Sequence, residues 1–290
     1  MSVVESILKD KELIALPSVA THIINMLKGE DIDVRELTRL IQTDPSLTLK
    51  LLRVANSPLY ATRKQISSIQ QAIMIMGFNK LTNIVLGVSI FSRFWIGSRA
   101  GVTEVMDKFW LHSASTGTLA KSITAKLRKN FRENEFIGGL LHQIGKLVMI
   151  QYDFDKYLKV IQAIEKYKVE DTLAERKIFG VSHIEVGEKI ASVWHLPEEL
   201  ITIIANYQTP SKSDTYQDLV ASVGLAGLIS EIYGADFYMG DREKINICES
   251  EHWKILSEAY EIFKTNGLDI LINDIQLDIN KSSDFIKAVK

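Results

Sequence analysis

No stretch of this chain alternates apolar and polar residues for long enough to build a sheet, whereas helix start and stop signals recur along most of its length. Asp33 is followed by Glu36, and Leu37, Leu40 and Ile41 then share one face. Asp44-Pro45 repeats the start: the aspartate can accept orphan amides, and proline at the first turn gives up an N–H that has no helical partner anyway. The stripe Leu47, Leu51, Val54, Ala55 follows and stops near Asn56-Ser57-Pro58. Ser68 with Gln71 opens another helix that Gly77 ends. These signals predict an all-α fold.

Residues 97–103 lack periodicity and contain two glycines, which predicts a junction between two helical parts. Beyond it, Trp110 to Leu127 reads as one helix and Glu135 to Ile150 as another. Thr172 with Glu175, and Ser182 with Glu185, read as capping boxes. Pro197 with Glu198 and Glu199 opens a helix reaching about Tyr207. Residues 219–232 carry small side chains that permit close helix contact. Ile245 to Phe263 reads as helical, while the stretch from Leu268 to Ile279 fits either short helices on the body or a partner surface.

Charge narrows the function classes. Lys and Arg number 34 against 36 Asp and Glu, so the basic excess expected of a phosphate-backbone binder is missing and nucleic acid is not an expected partner. Cys248 is the one cysteine, which excludes an intrachain disulfide and a Cys-rich metal site. The opening residues include Glu5, Lys9, Asp10, Lys11 and Glu12, so no signal peptide is expected. Apolar patches such as Ile84–Phe91 are far shorter than the roughly 20 residues of a spanning helix. A soluble, cytoplasmic protein with no membrane partner is the expectation.

The stretch around residue 142 asks for chemistry. Its helix is apolar almost all round, yet His142, Gln143 and Lys146 interrupt it, and buried polar groups need partners. His142 and Lys146, four apart, should share a face. His112 and His183 read as lying at helix starts. Three histidines on three helices could converge on a metal, although scattered single histidines more often hydrogen-bond to backbone carbonyls. Met74, Met76 and the tryptophans read as core, and the mixed charges of residues 126–135 as a solvated connection.

Several of these segments, in order, resemble one family. Leu16-Pro17-Ser18-Val19, Asp44 to Thr48, Leu51 to Ser57 and Ile69 to Gly77 look like the amino-terminal half of the HDOD domain. Gly139 to Lys146, Phe179-Gly180 through His183 to Val186-Gly187, and Trp194-His195-Leu196-Pro197 look like its second half. The resemblance covers residues 13–232, with a helical half at 13–96, an HD-like half at 104–232 and a C-terminal extension at 233–290. It implies a multi-helix bundle related to the HD superfamily of metal-dependent phosphohydrolases, with an N-terminal helical subdomain packed against it and a role in bacterial signal transduction.

In active relatives, histidines and aspartates hold metals that activate water against a phosphate ester. Carried over, His112 and His142 match ligand positions, but the next residue is Gln143 where the family pattern has an aspartate. His183 fits a later histidine, Asn206 and Tyr207 stand where paired histidines are usual, and Gly227 stands where the late aspartate falls. Lys146 is retained. The resemblance thus implies a degenerate site without catalytic residues, cofactor or metal, or at most one ion on His112, His142 and His183. The expected function is a non-catalytic regulatory module that binds a signalling protein or a small effector. The alternatives are a phosphohydrolase with a reduced metal site and a nucleotide sensor, such as one for a cyclic dinucleotide, without hydrolysis.

Overall fold

The computed structural model describes residues 2–28, 34–60, 65–94, 101–240 and 245–289. These residues form helices and turns, and no strand appears among them. The Asp33 start signal, Trp95 and most of the expected junction lie outside them.

The first part comprises α1 (Val3–Lys9), α2 (Lys11–Ile14), α3 (Ser18–Lys28), α4 (Val34–Gln42), α5 (Pro45–Ala55), α6 (Ile69–Met76) and α7 (Phe78–Arg93). Its punctuation is local chemistry. Asp44 accepts from the Leu47 amide, Ser68 accepts from the Gln71 amide, and Gly77 ends α6 at φ 88°, a region that side chains beyond glycine rarely adopt. Helix α7 collects α3, α5 and α6 around itself. Met74 does not belong to that core: it is 79% exposed, because α6 buries Ile69 and Ala72 and turns Met74 outward.

The second part is built on α8 (Val102–Lys126), which packs against α9 (Asn134–Leu141) and α15 (Gln217–Ile232). Helix α8 begins at Val102 behind Gly101 (φ 85°), well before Trp110, so His112 sits inside a helix and not at its start. The run Ser113, Ala114, Ser115, Thr116, Gly117, Thr118 is buried. These small residues let α9 approach so closely that a Cβ on Gly139 would stand 2.5 Å from the Gly117 Cα.

The helix expected over 135–150 is two helices. Helix α9 stops at Leu141, His142 and Gln143 form the corner, and α10 (Ile144–Tyr152) leaves in a new direction to pack on α13 (His183–Val193). No side-chain cap marks the corner. Tertiary packing makes it: a Cβ on Gly145 would come within 1.9 Å of the His183 carbonyl oxygen, so only glycine permits the α10–α13 crossing. His142 and Lys146 therefore flank a break and do not share one helical face.

Helices α11 (Phe154–Tyr167), α12 (Asp171–Phe179) and α14 (Glu198–Asn206) complete this part. The Ser182–Glu185 capping box forms as expected. Thr172–Glu175 does not cap, because α12 already starts at Asp171 and Glu175 turns into the core. The charge run near residue 130 is only partly solvated, since Glu135 is buried.

After a 3-10 turn (Ile247–Glu249), the tail forms α16 (Glu251–Ala259), α17 (Glu261–Asn266) and α18 (Asp269–Val289). Helix α18 packs on both α8 and α5, bridging the two parts. Its Asp278 is buried and accepts from Ser122, while Ser282 donates to Thr118 (2.9 Å). No helix of the described residues is long and apolar enough to cross a membrane.

Candidate functional site

A cavity of about 710 Å³ opens where α8, the α9–α10 corner, α15 and the segment before α16 meet. His112 reaches it from α8, His142 and Gln143 from the corner, Tyr207 from the end of α14, Glu231 from α15 and His252 from α16. The family resemblance places the late aspartate at Gly227, and that position does face the histidines: a Cβ there would lie 3.7 Å from His142 Nε2.

The histidine tautomers follow from their partners. His112 Nδ1 donates to the Ala235 carbonyl at 2.9 Å, and His142 Nδ1 donates to the Gly139 carbonyl at 2.7 Å. Each Nε2 is thus left as a lone pair, and the two stand 3.3 Å apart. Burial keeps both rings neutral, pulling His112 down to about 4 and His142 well below the usual imidazole range. Glu231 Oε1 lies 3.6 Å from His112 Nδ1 and accepts from the Phe237 amide at 3.0 Å. Burial pushes this carboxyl up to about 7, against the pull of the Lys146 ammonium.

Next to this pair lies a closed network. His183 Nδ1 donates to Glu175 Oε2 (2.6 Å), and its Nε2 accepts from the Tyr207 hydroxyl (2.7 Å). Glu175 also accepts from the His183 amide (2.8 Å) and the Tyr157 hydroxyl (3.2 Å). The Tyr207 oxygen accepts from Gln208 Nε2 at 3.3 Å, and its ring stands edge-on to His142, centroids 4.7 Å apart.

Lys146 lies deeper. Its ammonium is fully buried, 2.7 Å from Asp171 Oδ2 and over the Phe237 ring. Burial would lower the lysine, but Asp171, Glu175 and Glu231 outweigh it and raise it. Burial likewise pushes Asp171 up, and the Lys146 ammonium, with the hydrogen bonds from Lys146 and the Thr172 amide, brings it below the usual carboxylate range.

Of the residues singled out from sequence, His112, His142, Gln143 and Tyr207 converge on the cavity. His183 is one bond behind them, and Lys146 is turned to Asp171. Asn206 is not brought in: its Nδ2 donates back to the Thr202 carbonyl at 3.2 Å. Asp171, Glu175, Glu231, Gln208 and His252 are members that sequence reasoning missed. Glu231 left a trace as a single charge ending an otherwise apolar stretch, and Asp171 and Glu175 were hidden behind an apparent helix start.

The donor set does not fit the metal centre that active members of the resembled superfamily hold. Among the described residues, no three His, Cys, Asp or Glu side chains are placed to hold one ion. His183 Nε2 is engaged by Tyr207, residue 143 presents an amide, and residue 227 has no side chain.

The fold and this site define a helical bundle with a buried, histidine-lined pocket. The HDOD domain family model matches residues 13–210, and the chain belongs to that family. An HDOD domain protein from Geobacter sulfurreducens superposes with a TM-score of 0.78 at 23% identity, over 92% of each chain. A Shewanella amazonensis protein described as a candidate phosphohydrolase gives 0.73 at 20% identity, over 100% of this chain and 99% of its own. A candidate signal-transduction protein from Marinobacter aquaeolei gives 0.70 at 19%, over 99% of this chain and 62% of its own. At these identities the likeness is one of fold. The chain spans 41% of the length of a Treponema pallidum relative, with which it shares 23% identity over 215 residues, or 73% of this chain.

Proposed function

We propose that this HDOD domain is a non-catalytic regulatory module that binds a small effector or a signalling partner through the cavity and its rim. The observation that carries the reading is the Tyr207 hydroxyl on His183 Nε2 at 2.7 Å. A hydrolytic HD site needs that nitrogen for metal, whereas here it completes a buried hydrogen-bond chain. Gln143 adds to this, since a neutral amide is a poor bridge between dications. The description of the Marinobacter aquaeolei neighbour is in keeping with a signalling role.

One observation favours a phosphohydrolase with a reduced metal site, in keeping with the Shewanella amazonensis neighbour. The His112 and His142 Nε2 atoms are 3.3 Å apart, and two imidazole nitrogens bound to one tetrahedral zinc stand about 3.3 Å apart. A nucleotide sensor is less well supported, because Lys146 is neutralised by Asp171 and does not line the cavity.

The test is metal content by plasma mass spectrometry on protein purified without tag or chelator, with phosphomonoester and phosphodiester turnover measured in added Mn²⁺, Fe²⁺ or Zn²⁺. The expected result is substoichiometric metal and the same negligible turnover in wild type and His142→Ala. Stoichiometric metal, with turnover that His142→Ala abolishes, would overturn the reading.

A further inference from the structure

We infer that the cavity takes a small organic cation rich in N–H donors, an alkylammonium or guanidinium compound, and not a phosphorylated ligand. This deepens the regulatory reading by naming the effector's chemistry, and it rests on that reading. The first support is the hydrogen-bonding character of the inner wall. Gln143 is 3% exposed, and its Oε1 finds no partner among the described residues. His252 is 5% exposed; its Nε2 donates to the Tyr207 carbonyl at 2.6 Å, which leaves Nδ1 as a lone pair, also without a partner among the described residues. The Nε2 lone pairs of His112 and His142 are the third and fourth acceptors on this wall. A buried acceptor left unpaired costs about 1–3 kcal/mol, and a wall of acceptors is satisfied by a donor-bearing guest and repelled by phosphate oxygens.

The second support is charge. Glu170, Glu249 and Glu251 line the cavity, beside Asp171, whose charge is met by Lys146, and Glu231, which burial biases toward the neutral acid; Lys168 is the single Lys or Arg among the described residues that line it. Lys146, the basic residue that the family resemblance retains, is committed to Asp171. A metal dication would answer the same charge, but no compact set of three ligating side chains is present among the described residues. An organic cation needs no such compactness: its N–H groups can reach acceptors spread along the wall while its charge faces the rim carboxylates. A volume of about 710 Å³ suits a guest of that kind.

The experiment is isothermal titration calorimetry and thermal shift on the full chain, with putrescine, spermidine, agmatine and arginine as cation probes. ATP and a cyclic dinucleotide serve as anion probes, and Mn²⁺ as the metal probe. The expected result is saturable one-to-one binding of at least one cation probe, with a Tm rise of about 5 °C at about 100 times Kd. Two variants locate the site. Gln143→Leu removes the buried acceptor, and the double variant Glu170→Gln, Glu249→Gln removes charge at exposed rim positions where folding is not at stake. Each should weaken binding about tenfold or more, the energy of one lost charged hydrogen bond. Silence from all four cation probes, binding confined to ATP, the cyclic dinucleotide or Mn²⁺, or cation binding unchanged in both variants would each overturn the inference. The regulatory reading falls separately, by metal-dependent turnover that His142→Ala abolishes, so the two failures are distinguishable.

Discussion

The two corners of this site solve the same physical problem in opposite ways. At the Glu175–His183–Tyr207 corner, each buried donor or acceptor named above meets a partner inside the protein, in a chain from Tyr157 through the carboxylate and imidazole to the phenol. At the corner lined by His112, His142, Gln143 and His252, acceptor atoms converge without donors from the described residues. Closing a polar network fixes a structure, whereas leaving one half-made destabilises the isolated fold. The first corner has the character of architecture, and the second that of a binding wall.

The largest effect should come from breaking the closed corner. Glu175→Ala strands the His183 amide, His183 Nδ1 and the Tyr157 hydroxyl in a fully buried position. Loss of a buried charged partner of this kind costs about 3–5 kcal/mol. Urea denaturation should show that loss, and a midpoint close to wild type would mean that the network carries little stability.

A second, smaller effect is pH-dependent and belongs to Glu231. Its folded-state value of about 7 lies above the ordinary 4.5, so the fold prefers the neutral acid. The stability this group contributes is fully present below about pH 4.5 and is lost as pH rises through about 7. Glu231→Gln keeps an oxygen for the Phe237 amide and removes the titration. At pH 8 the variant should be more stable than wild type by up to about 3 kcal/mol, with the gain shrinking to near zero at pH 4.5. His112 and His142 titrate in the opposite sense, their lowered values causing stability to fall as pH drops below about 6.5. They are common to both proteins and cancel in the difference. A gain that does not vary with pH would mean that Glu231 is already ionised in the fold.

The same contrast explains which parts of the molecule were legible in the sequence. Signals that act within four residues were readable, because Asp44, Ser68 and the Ser182–Glu185 pair cap their own helices. The corner at His142–Gln143 was not readable, since no capping residue marks it and glycine-mediated contact between distant helices produces it. The family resemblance brought His112, His142 and Gln143 forward because they occupy ligand positions. It did not reveal Glu231 or His252, whose roles arise only when α15 and α16 fold over the corner. Glu175 was read as capping a helix with Thr172, because an acidic residue near a helix N-terminus satisfies local and distant explanations equally well, and Asp171 beside it drew no notice.

The smallest stability effect separates the two corners most sharply. Gln143→Leu exchanges a buried amide for an apolar side chain of similar volume. It removes an acceptor that has no protein partner, and also a contact with the Tyr207 oxygen, which keeps Gln208 and its own bond to His183. The loss of one contact and the relief of one unmade bond nearly cancel, so the net change should stay within about 1 kcal/mol. Chemical denaturation checks this against Glu175→Ala under one set of conditions. If Gln143→Leu is as damaging as the break at Glu175, the amide is a structural member of the closed network and the corner facing the cavity has no separate purpose. If it is nearly silent, a buried polar side chain is present that the fold does not need, and its use has to be sought in what enters the cavity.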